Sequence, residues 1–151
     1  MCVIVDNNQC HKLWNRHADV VTLVNALEAR RTVLVFGGKL TREYLESGSM
    51  RRYLARLGQM GAARRIADDD IRREEESMAG SCVSDDAHVI ALARVGKVRL
   101  LCTQDADLIA DFKNRDLIDD PPGSIYALGN RKANDRLIRK HCQCHASETT
   151  R

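Results

Sequence analysis

The chain has 151 residues and a formal net charge of +3, with 44% hydrophobic and 30% charged side chains. This length favours one domain with its own core, and aromatic residues, at 4%, are too scarce for that core to be other than aliphatic. No apolar run approaches the roughly 18 residues that a membrane helix needs. We expect neither a membrane segment nor a signal peptide, and therefore a cytoplasmic protein.

The charge is unevenly distributed. Residues 1–60 carry nine Lys/Arg against five Asp/Glu, residues 61–120 carry nine against fourteen, and residues 121–151 carry six against two. An acidic middle between basic ends suits a protein that holds a polyanion close to metal ions.

Apolar runs predict four buried strands, over residues 2–5, 32–36, 98–102 and 124–128. Helical spacing predicts helices over 18–31, over 39–57 with a break near Gly48, over 86–96 with Gly96 as the C-terminal cap, and from Ala106 onward. Residues 64–78 carry opposite charges three and four positions apart, which is typical of a solvated helix face. Strands that alternate with helices predict an α/β domain over residues 1–140, with a mainly parallel sheet covered on both faces. A flexible polar tail is predicted over 141–151.

Six cysteines are present, and the "HCQCH" stretch at residues 141–145 is the one that resembles a metal-ligand cluster. Its Cys142-x-Cys144 spacing, between His141 and His145, has no second Cys pair at a suitable distance along the chain, which disfavours zinc. We expect reduced thiols.

Acidic residues follow or precede several of the predicted elements. Asp6 lies just past the first strand, Asp105 just past the third, Glu43 and Glu46 lie in the helix after the second, and Asp86 opens a helix. Ligands of open parallel sheets bind beyond the carboxyl ends of the strands. Carboxylates that meet there would raise one another's pKa unless a cation compensates, and Mg²⁺ or Mn²⁺ suits oxygen ligands. Helix capping is the alternative role for Asp86 and for Asp105.

Two stretches resemble the PIN-domain nucleases: "VIVDNN" at residues 3–8, and "DDAHVIALARVGKVRLLCTQDADL" at residues 85–108. The first is a strand followed by D-x-N. In the second, an aspartate opens a helix of the form D-A-x-I-A-x-A, and a strand and then T-x-D-x-D follow it. The resemblance covers about residues 2–128 and implies a three-layer α/β/α sandwich. It also implies a metal-dependent endoribonuclease that hydrolyses single-stranded RNA with Mg²⁺ or Mn²⁺, as a toxin, a defence effector or an RNA-processing enzyme.

The resemblance assigns roles to individual residues. The catalytic and metal-binding acids would be Asp6, Glu43, Asp86 and Asp105, with Asp107 as an auxiliary metal ligand and Asn8 and Thr103 as residues that orient the acids. Glu46 competes with Glu43 for the second acid, and Asp85 competes with Asp86, although only Asp86 keeps the register. His88 occupies a position that is usually apolar in the family, and we expect it to be a half-exposed helix residue; Leu108 stands where phenylalanine is usual.

The implied partners are RNA, an antitoxin or other regulatory protein, and a second copy of the chain in a homodimer, with no membrane. Candidate contacts to the RNA backbone are Arg42, Arg51, Arg52, Arg131 and Arg136. The main alternative is a catalytically degenerate PIN-like module that binds RNA or protein. A haloacid-type phosphatase is disfavoured because "DNNQC" lacks the second aspartate of D-x-D. A phosphoacceptor receiver domain is disfavoured because neither its paired acids nor its later lysine is present.

Overall fold

The computed structural model describes residues 3–141, which form five β-strands and eight α-helices. The strands are β1 (Ile4–Val5), β2 (Leu34–Gly37), β3 (Ala63–Ile66), β4 (Leu100–Cys102) and β5 (Ser124–Ile125). The helices are α1 (His11–Trp14), α2 (Val21–Glu28), α3 (Lys39–Leu45), α4 (Gly48–Gln59), α5 (Asp68–Ser77), α6 (Ala87–Gly96), α7 (Ala106–Lys113) and α8 (Arg131–His141). Short 3-10 turns at Asn7–Gln9 and Ala18–Val20 precede α1 and α2.

All strand pairings among these residues are parallel. β4 pairs with β1 and β5, β2 pairs with β3, and a bridge between Val3 and Leu34 joins the two sets. The amide of Val3 donates to Val33 O at 3.2 Å, and the amide of Val35 donates to Val3 O at 2.9 Å. The strands therefore run in the order β3, β2, β1, β4, β5. This arrangement confirms a mixed α/β fold with parallel strands, and the strand order reverses between β1 and β4.

The central strands are buried because their sequences are continuously apolar. Every residue of β1 and β4 is 0% exposed, as expected for strands covered on both faces. Helix α6 packs against β2, β3 and α5, while α2 packs against α8. The two central strands thus place their carboxyl ends side by side under fixed packing.

β3 is a correction to the sequence prediction, which assigned residues 64–78 wholly to a helix face. Ala63-Arg64-Arg65-Ile66 pairs with β2 at the edge of the sheet, and the Arg64 guanidinium donates to Gly96 O at 3.1 Å. A strand with two arginines has no apolar run to reveal it, although long arginine stems cover apolar surface well. The remainder of the segment forms α5, whose exposed ion pairs join Arg72 to Asp69 and Arg73 to Asp70, so the solvated helix face is confirmed there.

The helix boundaries show one confirmed and one wrong prediction. The break near Gly48 is real: the Ser47 Oγ accepts from the amide of Met50 at 3.2 Å and starts α4. Gly96, however, is the last helical residue of α6, and Lys97 takes the left-handed capping conformation with φ 57°. A Cβ on Gly96 would lie 3.4 Å from Val35 Cγ1, an ordinary van der Waals contact, so this end of α6 packs directly against β2.

The predicted tail and most of the "HCQCH" cluster lie outside the described residues. His141 ends α8, and its Nε2 lies 3.0 Å from Ser124 Oγ. Burial, followed by the charges of Lys140 and Arg99, lowers the pKa of His141. Between residues 3 and 141, no helix is long and apolar enough to cross a membrane.

Candidate active site

Asp6 is a buried carboxylate at the carboxyl end of β1. Only 7% of the residue is exposed, and its backbone amide continues the parallel ladder by donating to Cys102 O at 2.9 Å. Burial raises the pKa of Asp6, and repulsion from Asp86 and Glu43 raises it further, while a hydrogen bond from Thr103 opposes the shift. Asp6 is thus a costly charge in the place where a parallel sheet binds its ligands.

Thr103 connects the ends of the two central strands. Its Oγ1 donates to Asp6 Oδ2 at 2.7 Å and accepts from the amide of Asp105 at 3.1 Å. A hydroxyl has one proton and two lone pairs, so a single side chain can satisfy both groups. This hydroxyl fixes the orientation of the Asp6 carboxylate and the start of α7 together.

Asp105 caps α7. Its Oδ1 accepts from the amides of Asp107 and Leu108, at 2.9 and 3.2 Å, as the preferred capping residue does. The capping alternative therefore holds for this residue. Because Oδ1 takes both bonds, Oδ2 is the oxygen that remains for a ligand.

Asp86 stands at the start of α6, but its side chain makes no capping hydrogen bond. The residue is half-buried, and its amide donates to Ser84 Oγ at 3.3 Å. Its carboxylate is instead an electrostatic neighbour of Asp6. Asp85, the alternative acid, is exposed.

Asp111 positions the segment that leads to Asp86, and the sequence analysis missed it. Its carboxylate is 2% exposed and accepts from the amides of Val83 and Ser84, both at 2.9 Å. The signal was present in the helical spacing, since Asp111 lies three residues after the buried Leu108 and therefore on the same face of α7. An acid on an apolar face needs a donor, and here two backbone amides supply it.

Glu43 approaches Asp6 from α3. The next residue, Tyr44, is 0% exposed, and its hydroxyl donates to Val5 O, which fixes α3 against the end of β1. Glu43 Oε1 also lies 3.1 Å from His88 Nε2. Only Glu43, and not the exposed Glu46, is among the acids that affect the pKa of Asp6.

The expectation that His88 is half-exposed is wrong. His88 is 4% exposed and pairs with Glu43 across the site. All of residues 88–93 in α6 are buried, so this helix has no solvent face on which a histidine at that position could lie.

Two other predicted residues stand at the margin. Asn8 is exposed, and its Oδ1 accepts from Gln9 Nε2 at 3.1 Å rather than binding Asp6. The side chain of Asp107 is exposed in the first turn of α7.

The carboxylates suit a divalent ion in their chemistry, but they are not arranged as a closed cage. Across the part of the chain that the structure describes, no three His, Cys, Asp or Glu side chains are grouped tightly enough to hold a metal ion where they stand. Mg²⁺ keeps several waters and uses one or two carboxylates, so it does not require such a group. Mutual repulsion at Asp6 is what a cation would relieve, and the oxygen-only acids fit Mg²⁺ or Mn²⁺.

No protein-family model matches the chain, and comparisons with curated proteins and with solved structures found no match. The resemblance to PIN-domain nucleases therefore stays an expectation from the sequence.

Proposed function

We propose that the chain is a divalent-metal-dependent endoribonuclease with a three-layer α/β/α, PIN-like fold. The observation that carries the proposal is the buried Asp6 at the reversal of strand order, with Asp86 and Glu43 as its like-charged neighbours. Ionisable groups whose pKa is perturbed by burial and by neighbouring charges concentrate at functional sites. The three unpaired cysteines among the described residues suit a cytoplasmic protein.

Each acid has a distinct part in this proposal. Asp6, held by Thr103, and Asp86, free of a capping bond, would be the direct ligands of Mg²⁺ or Mn²⁺, and Glu43 and the second oxygen of Asp105 would complete the set. Asp107, which is exposed in the first turn of α7, would be an auxiliary ligand. When bound, the ion supplies Lewis-acid chemistry that activates water and offsets negative charge on the phosphodiester.

The proposed substrate is single-stranded RNA, and the proposed role is that of a toxin or defence effector. A cognate inhibitor or a second copy of the chain would regulate such an enzyme most directly by covering the carboxylates.

The test is cleavage of labelled single-stranded RNA and DNA during titration with Mg²⁺ and Mn²⁺. Asp86→Asn should lose at least about 100-fold in rate, the size of effect seen when one electrostatic stabiliser is removed. Asp85→Asn is the matched control, since it makes the same change one residue away on the exposed side, and it should cleave like the parent. Equal activity of the two variants, or activity that persists in excess chelator, would refute the proposal.

A degenerate binding module is the second candidate, and the His88–Glu43 pair is the observation that favours it. At 3.1 Å the imidazole occupies a Glu43 oxygen that a metal would otherwise use. If Glu43 is a ligand, Glu43→Gln should reduce the thermal stabilisation by Mn²⁺, whereas Glu46→Gln should not. If Mn²⁺ does not stabilise even the parent chain, and the parent still binds RNA, the binding module is favoured instead.

A further inference from the structure

Two cavities lie along α1 and α4 and share Trp14 in their linings, and we name the two together the Trp14 groove. One cavity, of about 280 Å³, is lined by Asn7, His11, Trp14, Glu43 and Glu46 among others. A second cavity, of about 250 Å³, is lined by Trp14, Arg16, Arg52, Tyr53 and Arg56 among others. Trp14 lines both cavities and Glu43 lines the first, so the two sections lie next to each other between the carboxylates and the arginines of α4.

The far section of the groove attracts anions. Arg16 and Arg56 share a single carboxylate oxygen of Glu28, so two cations face one anion there. Arg52 adds a third guanidinium, which reaches the Ser49 hydroxyl at 3.4 Å and pairs with no carboxylate within residues 3–141. Three guanidiniums against one carboxylate leave a positive surplus.

The wall of the groove contains aromatic and unsatisfied polar groups. Trp14 is half-buried, so its ring packs against the core and keeps part of its surface for a ligand. Tyr53 is 7% exposed, and its hydroxyl has no hydrogen-bond partner in the described part of the chain. Burial, followed by the negative charge of Glu28, raises the pKa of Tyr53 to about 12. The hydroxyl therefore keeps its proton at physiological pH and can donate a hydrogen bond.

We propose that the Trp14 groove binds the nucleotides of single-stranded RNA next to the bond that is cut, with a base stacked on Trp14 and its phosphates held by Arg52 and Arg56. This inference rests on the proposed function, because it assigns the path of the same substrate. Single strands are held by grooves that combine positive charge with aromatic surfaces on which bases stack. Each cavity lies just below the roughly 300–1,000 Å³ that enclose a drug-sized ligand, so neither section has room for more than one nucleotide unit.

Trp14 is the only tryptophan of the chain, so its fluorescence reports the stacking directly. The probe is a single-stranded oligouridylate of roughly 10 nucleotides, within the site sizes of single-strand binders. Titration in chelator prevents cleavage. We expect saturable quenching of Trp14, and anisotropy of a labelled probe should show binding weakened by about 5- to 150-fold in Trp14→Leu, but much less in Trp14→Phe.

The arginines are tested by the salt dependence of the affinity. The double variant Arg52→Ala with Arg56→Ala should flatten the slope of log K against log salt by about 0.7 for each lost phosphate contact. The matched control is Arg72→Ala with Arg73→Ala, which removes two exposed arginines of α5 and should leave the slope unchanged. Oligoglutamate of the same charge should compete poorly, since it has no bases.

Binding without quenching, equal slopes in the two double variants, or equal competition by oligoglutamate would each overturn the proposal. Circular dichroism verifies that Trp14→Leu folds; if it does not, Trp14→Phe and the arginine variants still decide the question. Quenching of Trp14 without RNA cleavage in Mn²⁺ would refute the nuclease proposal and support RNA binding in the Trp14 groove. Cleavage without quenching would support the nuclease proposal and refute binding in the groove.

Discussion

Replacing Asp111 by alanine should destabilise the protein and disorder the approach to Asp86. The residue is 2% exposed, and its carboxylate accepts two backbone hydrogen bonds, from Val83 and Ser84, both at 2.9 Å. Hydrogen bonds to charged groups contribute about 1.5–3 kcal/mol each. The donors lie in a segment that is partly exposed, so water can replace part of what is lost, and we expect a loss of about 2–3 kcal/mol rather than the full sum for two bonds.

Urea denaturation measures this change in the free energy of unfolding, and a thermal melt should show a fall in Tm of about 4–12 °C for a domain of this size. Asp111→Asn, which retains one accepting oxygen, should lie between the parent and Asp111→Ala. Asp116→Ala, at an exposed position just past the same helix, is the control and should stay within about 0.5 kcal/mol of the parent. If Asp111→Ala were as stable as this control, Asp111 would not anchor the segment. Hydrogen exchange at Val83 and Ser84 should also accelerate in Asp111→Ala alone.

Three further predictions concern single residues: Asp6, Lys97 and Cys82. In chelator at neutral pH, Asp6→Asn should be more stable than the parent in urea denaturation. Because the pKa of Asp6 is raised in the folded state, this advantage is full above the folded-state pKa and shrinks as the pH falls toward 3.8. An advantage that is constant at all pH values would contradict the prediction. Lys97→Gly should stabilise the protein by about 1 kcal/mol, because the left-handed φ of 57° costs a side-chain-bearing residue that much; a loss of stability would show that Lys97 makes a compensating contact. An alkylating reagent should modify Cys82 before the buried Cys102, because burial raises the pKa of Cys102 to about 12. Peptide mapping measures the two alkylation rates, and equal rates would show that β4 opens readily.

The parts of the fold that the sequence predicts are those with strong local patterns. The apolar runs at β1 and β4 require burial, and a parallel sheet then brings the residues after them to one edge, so the proximity of Asp6 and Thr103 follows from chain order and pattern. β3 is different, because Arg64 and Arg65 make its pattern polar, and its pairing with β2 depends on tertiary packing that no local signal encodes.

The sequence proposes which acids form the candidate site, but it does not reveal their contacts. Which oxygen of Asp105 caps α7, and whether Asp86 caps α6, depends on side-chain rotamers set by neighbours distant in sequence. The burial of His88 was missed because α6 was assumed to have a solvent face, whereas α3, α5 and the sheet cover it on several sides. Periodicity identifies the apolar side of a helix but does not reveal what covers the other side.

The hydroxyl bond between Thr103 and Asp6 spans 97 positions of the chain. During synthesis, therefore, Asp6 leaves the ribosome well before the hydroxyl that orients its carboxylate. A prematurely terminated product that ends before β4 lacks both Thr103 and Asp105, so it cannot form the bonds that orient Asp6 and start α7.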